Sequence, residues 1–212
     1  MQHIKNCRVS LITNCWRVKF GKDLYAILPA HVATYKSHNK WILSPFLKEC
    51  GDEHLSWNIP VRWKDRMQFH DDFAWAKLID NDKKSPHKTH LLETTKDLSE
   101  PIDTNFYYNQ PYDAYGLRTD VATFGKMIGI TYPSPNSSLL ESLNIGHRGF
   151  SGAICVDNTI GLVGMFIGRG TELGQNEDAS PLVNNTSPMR RGIIIPPSIM
   201  LEHIKEGGIQ IT

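Results

Sequence analysis

At 212 residues, with 40% hydrophobic and 21% charged side chains, the chain has an ordinary globular composition and enough length for a sizeable core. A formal net charge of +1 removes any global electrostatic case for nucleic acid, anionic membrane or an acidic substrate. No apolar run approaches the roughly 20 residues that span a bilayer. Cys7, Cys15, Cys50 and Cys155 have neither the density nor the spacing of a disulfide scaffold or zinc site, and read as free thiols.

The N-terminal stretch MQHIKNCRVSLITNCW has no uninterrupted apolar run and no small-residue cleavage site, so no secretory leader is expected. Short apolar or alternating runs then recur between turn residues. RVSLI (8–12) leads to CWRVKF (15–20), Gly21-Lys22-Asp23 turns the chain, and LYAIL (24–28) follows. WIL (41–43), VRW (61–63) and FAWAKLI (73–79) come next. After a polar stretch over 80–105, FGKMIGITY (124–132), AICV (153–156), IGLVGMFI (160–167) and GIII (192–195) complete the series. Many short β-like runs with Gly, Asn, Asp and Pro between them predict an all-β sandwich or pair of barrels.

One helix is expected, in PPSIMLEHIKEGG (196–208), with proline at its start and glycines after it. Ile199, Met200 and Ile204 form its apolar side. The charge-rich middle suggests a linker over 91–105 between an N-terminal half, 1–90, and a C-terminal half, 106–212. Residues 171–190 form a second long polar stretch, expected to be mobile or functional.

Three places carry chemistry. His31 follows the apolar run LYAILPA, Asp71-Asp72 head the run FAWAKL, and Ser151 stands between glycines in GFSGA. A serine hydroxyl is a poor nucleophile until a base takes its proton, and the base needs an acid to orient it. Alone, each feature is explained by a satisfied histidine, a solvated turn and a common loop serine. Together they stand in the order His, acid, Ser, each at the edge of a predicted strand.

On these residues the chain resembles the chymotrypsin-fold proteases, above all the picornavirus-like polyprotein proteases. YAILPAHV is similar to the segment carrying that family's histidine, DFAWAKL to the one headed by its acid, and GFSGAICV with GLVGMFIGRG to its nucleophile loop and following hairpin. The resemblance runs from about residue 8 to about 205. It implies two antiparallel six-stranded β-barrels with a short C-terminal helix, and a serine endopeptidase site in the cleft between them. It assigns His31 as base, Asp72 as orienting acid and Ser151 as nucleophile, with the N–H groups of Gly149 and Ser151 as the oxyanion hole. Asp71 is left as a turn residue. The implied substrate is a peptide or polyprotein, the implied setting is the host-cell cytoplasm, and no cofactor or metal is implied.

Departures from the pattern sharpen this. The nucleophile is serine, as in sobemovirus-like and cellular relatives, where most picornavirus enzymes have cysteine. Phe150 stands where secreted digestive relatives carry the acid that captures a new N-terminus. Phe166 and Gly146 stand where glutamine-selective members have His and Thr, so that selectivity does not carry over. The substrate side chain is expected between two walls, Ile145, Gly146, His147 and Arg148 on one side and Gly164, Met165 and Phe166 on the other. No carboxylate lies in either, so an apolar side chain is the default fit. His147 or Arg148 turned inward would favour Glu or Asp.

Four alternatives stand beside the viral reading. The chain is also compatible with a stand-alone cellular or bacterial protease, or with an inactive barrel serving as a binding module. The histidines around His70-Asp71-Asp72, with His87 and His90, match no metal motif such as H-E-x-x-H and read as surface residues. Lys83-Lys84 and Arg190-Arg191 give nucleic-acid binding only weak support, since solvated loops explain them.

Overall fold

The computed structural model describes residues 14–37, 40–43, 48–50, 56–58, 66–79, 92–93, 98–112, 118–144, 146, 149–171 and 190–210. The predicted runs RVSLI and VRW lie outside them.

The N-terminal part is built on the hairpin β1 (Trp16–Phe20) and β2 (Asp23–Pro29), turned by Gly21 at φ 63°. Helix α1 (Ala30–Ala33) is a single turn at the end of β2. Strands β3 (Thr34–Ser37) and β4 (Lys40–Leu43) pair off by themselves, as do β5 (Lys48–Cys50) and β6 (Ser56–Asn58). A second hairpin joins β7 (Met67–His70) to β8 (Phe73–Leu78), and β8 lies antiparallel to β2. Strand β9 (Leu92–Glu93) adds to β1 in parallel.

The C-terminal part is a closed six-stranded barrel. Its strands are β10 (Ile102–Tyr112), β11 (Arg118–Pro133), β12 (Leu140–Ser142), β13 (Ile154–Asp157), β14 (Gly161–Thr171) and β15 (Arg190–Ile195). Arg190-Arg191, expected in a loop, open β15. Helix α2 (Pro197–Glu206) follows, with Pro196 as N-cap and Gly207 as C-cap. The chain then returns as β16 (Ile209–Gln210) to pair with β7. Of the two barrels expected, the second is closed; the first is, among the described residues, an open six-stranded sheet ordered β16-β7-β8-β2-β1-β9.

Alternation along the strands sorts side chains into three cores. Leu24, Ala26 and Leu28 of β2 join Ala74, Ala76 and Leu78 of β8 inside the N-terminal sheet. Tyr25, Ile27, Phe73 and Trp75 point the other way and meet Ile154, Leu162, Met165 and Ile195 of the barrel, with Met200 of α2. Phe106, Tyr108, Phe150, Cys155, Val163, Phe166 and Ile194 fill the barrel itself. The middle core is shared, so the two sheets are fixed to each other by buried apolar area rather than by a linker alone.

Candidate active site

The hairpin β7–β8 has a two-residue loop, because His70 pairs directly with Phe73. Asp71 takes φ 48° there, a left-handed conformation that aspartate tolerates better than most residues. The loop hands Asp72 to the end of β2. Its main-chain oxygen accepts from Ala30 N at 3.0 Å, and its Oδ1 accepts from His31 N at 2.8 Å.

The same carboxylate holds the His31 ring, with Nδ1 at 2.8 Å from Oδ1 and 2.7 Å from Oδ2. A proton on Nδ1 is therefore shared with the carboxylate, which leaves Nε2 as the acceptor face of the ring. Both side chains remain partly open to solvent, at 47% and 33% exposure. Of the two adjacent acids, Asp72, the one that the resemblance singles out, contacts His31, and Asp71 turns away towards His70, 3.5 Å from its Nδ1.

Ser151 lies in a tight turn closed by Ala153 N donating to Phe150 O at 2.8 Å. Gly149 and Gly152 flank it at φ 88° and 83°, conformations that a side chain would strain. The turn is anchored from both sheets. Gly152 N donates to Phe166 O of β14 at 2.7 Å. From the N-terminal sheet, Trp16 Nε1 donates to Gly152 O at 2.9 Å, and Asn14 Nδ2 donates to both Gly149 O and Ser151 O, each at 2.9 Å.

Gly152 seats the turn against the end of β2, the strand that leads into His31. A Cβ there would stand 2.9 Å from Pro29 Cδ and 2.5 Å from the Asn14 main-chain oxygen. Ser151 and His31 thus sit one and two residues from a direct backbone-to-proline contact. Among the described residues no hydrogen bond runs from the Ser151 hydroxyl to the His31 ring; such bonds are commonly long before substrate arrives.

Phe150 explains the other half of the loop. Its ring is fully buried, edge-on to Phe166 at 4.8 Å and tilted against Tyr108 at 4.8 Å and Phe106 at 5.6 Å. Phe150 thus plugs the barrel core directly before Ser151. Of the expected substrate walls, Gly146 has φ 63°, and its carbonyl accepts from Arg169 Nη2 at 3.0 Å. Met165 and Phe166 are 0% and 2% exposed and belong to the cores. Ile145, His147 and Arg148 lie outside the described residues.

Cys155, four residues past Ser151, is fully buried beside Thr131. Burial pushes its thiol up to about 12, against the opposing effect of hydrogen bonds with Thr104 and Thr131.

Asn14, Arg169 and His203 carry roles that the sequence did not announce. The two Asn14 contacts join residues 135 and 137 positions apart, so no local pattern could reveal them. His203 was masked by the helical pattern, in which Met200 and the isoleucines supplied the apolar side.

No protein-family model and no curated protein matches the chain. Among solved structures it is similar to the serine protease domain of the Sesbania mosaic virus polyprotein, at 15% identity and TM-score 0.49, over 91% of this chain and 83% of that one. A structure from work on the coupled folding and binding of the Sesbania mosaic virus VPg protein is similar at 15% identity and TM-score 0.49, over 85% and 78%. The MamO protease domain of Magnetospirillum magneticum is similar at 11% identity and TM-score 0.46, over 95% and 91%. No helix among the described residues is long and apolar enough to cross a membrane.

Proposed function

We propose that the chain is a serine endopeptidase of chymotrypsin-like architecture, with Ser151 as nucleophile, His31 as base and Asp72 as orienting acid. The observation that carries this reading is the double contact of the Asp72 carboxylate with His31, through both ring and main chain, beside a serine turn wedged against Pro29. A carboxylate that grips a histidine ring and its N–H together fixes tautomer and direction, which a base needs and a surface ion pair does not.

In the reaction, His31 Nε2 takes the Ser151 hydroxyl proton as Oγ attacks the scissile carbonyl carbon. The negative charge that develops on the carbonyl oxygen falls to the N–H groups of Gly149 and Ser151. Neither is used in a backbone hydrogen bond among the described residues. His31 then gives its proton to the leaving amine, and the acyl group stays on Ser151. Water attacks the ester by the same route and regenerates the hydroxyl.

The substrate is an extended polypeptide. Strand β14 pairs with β13 only as far as Met165 and with β15 as far as Thr171, so Gly168 to Thr171 pair on one side alone among the described strands. That edge, beside the Ser151 turn, suits a substrate that adds as a further strand. Processing of a viral polyprotein in the host-cell cytoplasm rests on the motif resemblance of GFSGAICV and GLVGMFIGRG, and we include it in the proposal on that ground.

A fluorophosphonate probe tests the reading, since it forms a stable bond only with an activated serine. Labelling of the wild type and none of Ser151→Ala is the expected result. An unlabelled wild-type protein that still binds peptides would make the chain an inactive binding module.

A further inference from the structure

Behind the Asp71-Asp72 turn, on the side away from His31, two imidazoles from distant parts of the chain come together. His70 ends β7 and His203 lies in α2; their rings stack with centroids 4.2 Å apart and planes 24° apart. His203 is 8% exposed and packs against Phe73 at 6.3 Å. The Nδ1 atoms of both rings are buried and have no hydrogen-bond partner among the described residues. Buried polar atoms are paired in the great majority of cases, so His203 Nδ1, which has neither a hydrogen bond nor a facing charge, and His70 Nδ1, which has only the Asp71 carboxylate at 3.5 Å, call for a ligand.

The surroundings say which ligand. Glu206 lies three residues after His203 on the same face of α2, and donor atoms of His70, His203 and Glu206 all lie within 4.8 Å of one another. Asp71 Oδ2 stands 3.5 Å from His70 Nδ1 and 3.9 Å from His203 Nε2, adding negative charge at the same point. Two imidazoles and a carboxylate, with a second carboxylate facing them, match a borderline-soft divalent cation rather than an anion or an oxygen-seeking ion. Zinc–nitrogen bonds of about 2.0–2.1 Å put tetrahedral donors about 3.3 Å apart. Closing that gap takes rotation of the exposed Glu206 and of the half-exposed His70 ring out of the stack, since near-parallel rings do not aim their lone pairs at one point.

We propose that His70, His203 and Glu206 bind one divalent transition-metal ion of the zinc class, tying the β7–β8 hairpin to helix α2. The ion has no part in the serine chemistry. It links the turn that holds Asp72 to the far end of the chain, where β16 already pairs with β7. Sequence reading grouped His70 with His87 and His90 because His203 lies 133 positions away.

The test uses the whole chain, stripped with a chelator and dialysed, and needs no turnover. Titration with zinc chloride, followed by calorimetry and thermal unfolding, is expected to show a single site and a rise in Tm. Magnesium is expected to give neither. His70→Ala and His203→Gln are expected to lose the zinc-dependent rise, and Glu206→Gln to weaken binding. Cobalt in place of zinc is expected to give the visible absorption of a low-coordinate site in the wild type only. Should His203→Gln fail to fold, His70→Ala and Glu206→Gln carry the comparison. A Tm indifferent to zinc, or a site that persists in His70→Ala, would overturn the proposal.

Discussion

Gly152 stands so close to Asn14 that any side chain at 152 would collide with it: a Cβ there falls 2.5 Å from the Asn14 carbonyl oxygen. The glycine beside the serine is therefore a packing requirement between the two sheets as well as a turn residue. Gly152→Ala carries both costs, since φ is 83° and the obstacles are backbone and proline. We expect a loss of about 1–3 kcal/mol from the backbone alone, with more from the collision. Gly21→Ala is the control, with φ 63° and nothing within 4 Å. Urea unfolding should rank Gly152→Ala well below Gly21→Ala; equal losses would show that the collision relaxes freely.

Asn14 spends one amide on two carbonyls of the serine turn while itself only 1% exposed. Asn14→Ala leaves both half-buried oxygens without that donor, at less than the about 1–3 kcal/mol that a fully buried unsatisfied acceptor costs. Asn14→Asp sets a carboxylate against them and should be worse. Because the turn moves and the substrate strand does not, steady-state kinetics should show kcat falling with little change in KM. A fall confined to KM would remove Asn14 from the positioning of Ser151.

The two adjacent aspartates should separate cleanly. Removing the acid that orients a catalytic histidine costs about 10⁴ in turnover in the chymotrypsin system. Asp72→Asn should show a loss of that order, whereas Asp71→Asn, which keeps the left-handed backbone accessible, should stay near wild type. The reverse ranking in a peptide-cleavage assay would give the acid role to Asp71.

Cys155 should be inert despite its place near Ser151. With its thiol pushed up to about 12, the protonated form persists until the pH approaches that value, and only about one molecule in ten thousand is thiolate at pH 8. Iodoacetamide treatment of the native protein, followed by peptide mass mapping, should leave Cys155 unmodified and fluorophosphonate labelling intact. Alkylation of Cys155 at neutral pH would show that the barrel opens.

Cleavage after Lys or Arg should be rare. Neither predicted wall carries a carboxylate, and Arg169 places a guanidinium on the Gly146 carbonyl. A buried cation there would lack a partner, at a cost of several kcal/mol. A mixed peptide library read by mass spectrometry should return few basic residues before the cut. Apolar cuts would match the sequence expectation, and dominant cuts after Glu would assign the pocket to His147, Arg148 and Arg169.

The sequence by itself determined the local elements and the chemical inventory. Alternation in LYAIL and FAWAKL marked β2 and β8, and the proline and glycines around IMLEHIKE marked α2, because periodicity and backbone restriction act between near neighbours. The histidine, the acids and the serine were visible as residue types at strand ends. Tertiary structure decided what depends on distant partners. It set the distances from Asp72 to the His31 ring, buried Met165 and Phe166, and paired β16 with β7. It also set Asn14 under the serine turn and His203 on His70. Each of these joins positions whose separation no periodicity spans, and each is fixed by burial and hydrogen-bond satisfaction, which exist only once the sheets have packed.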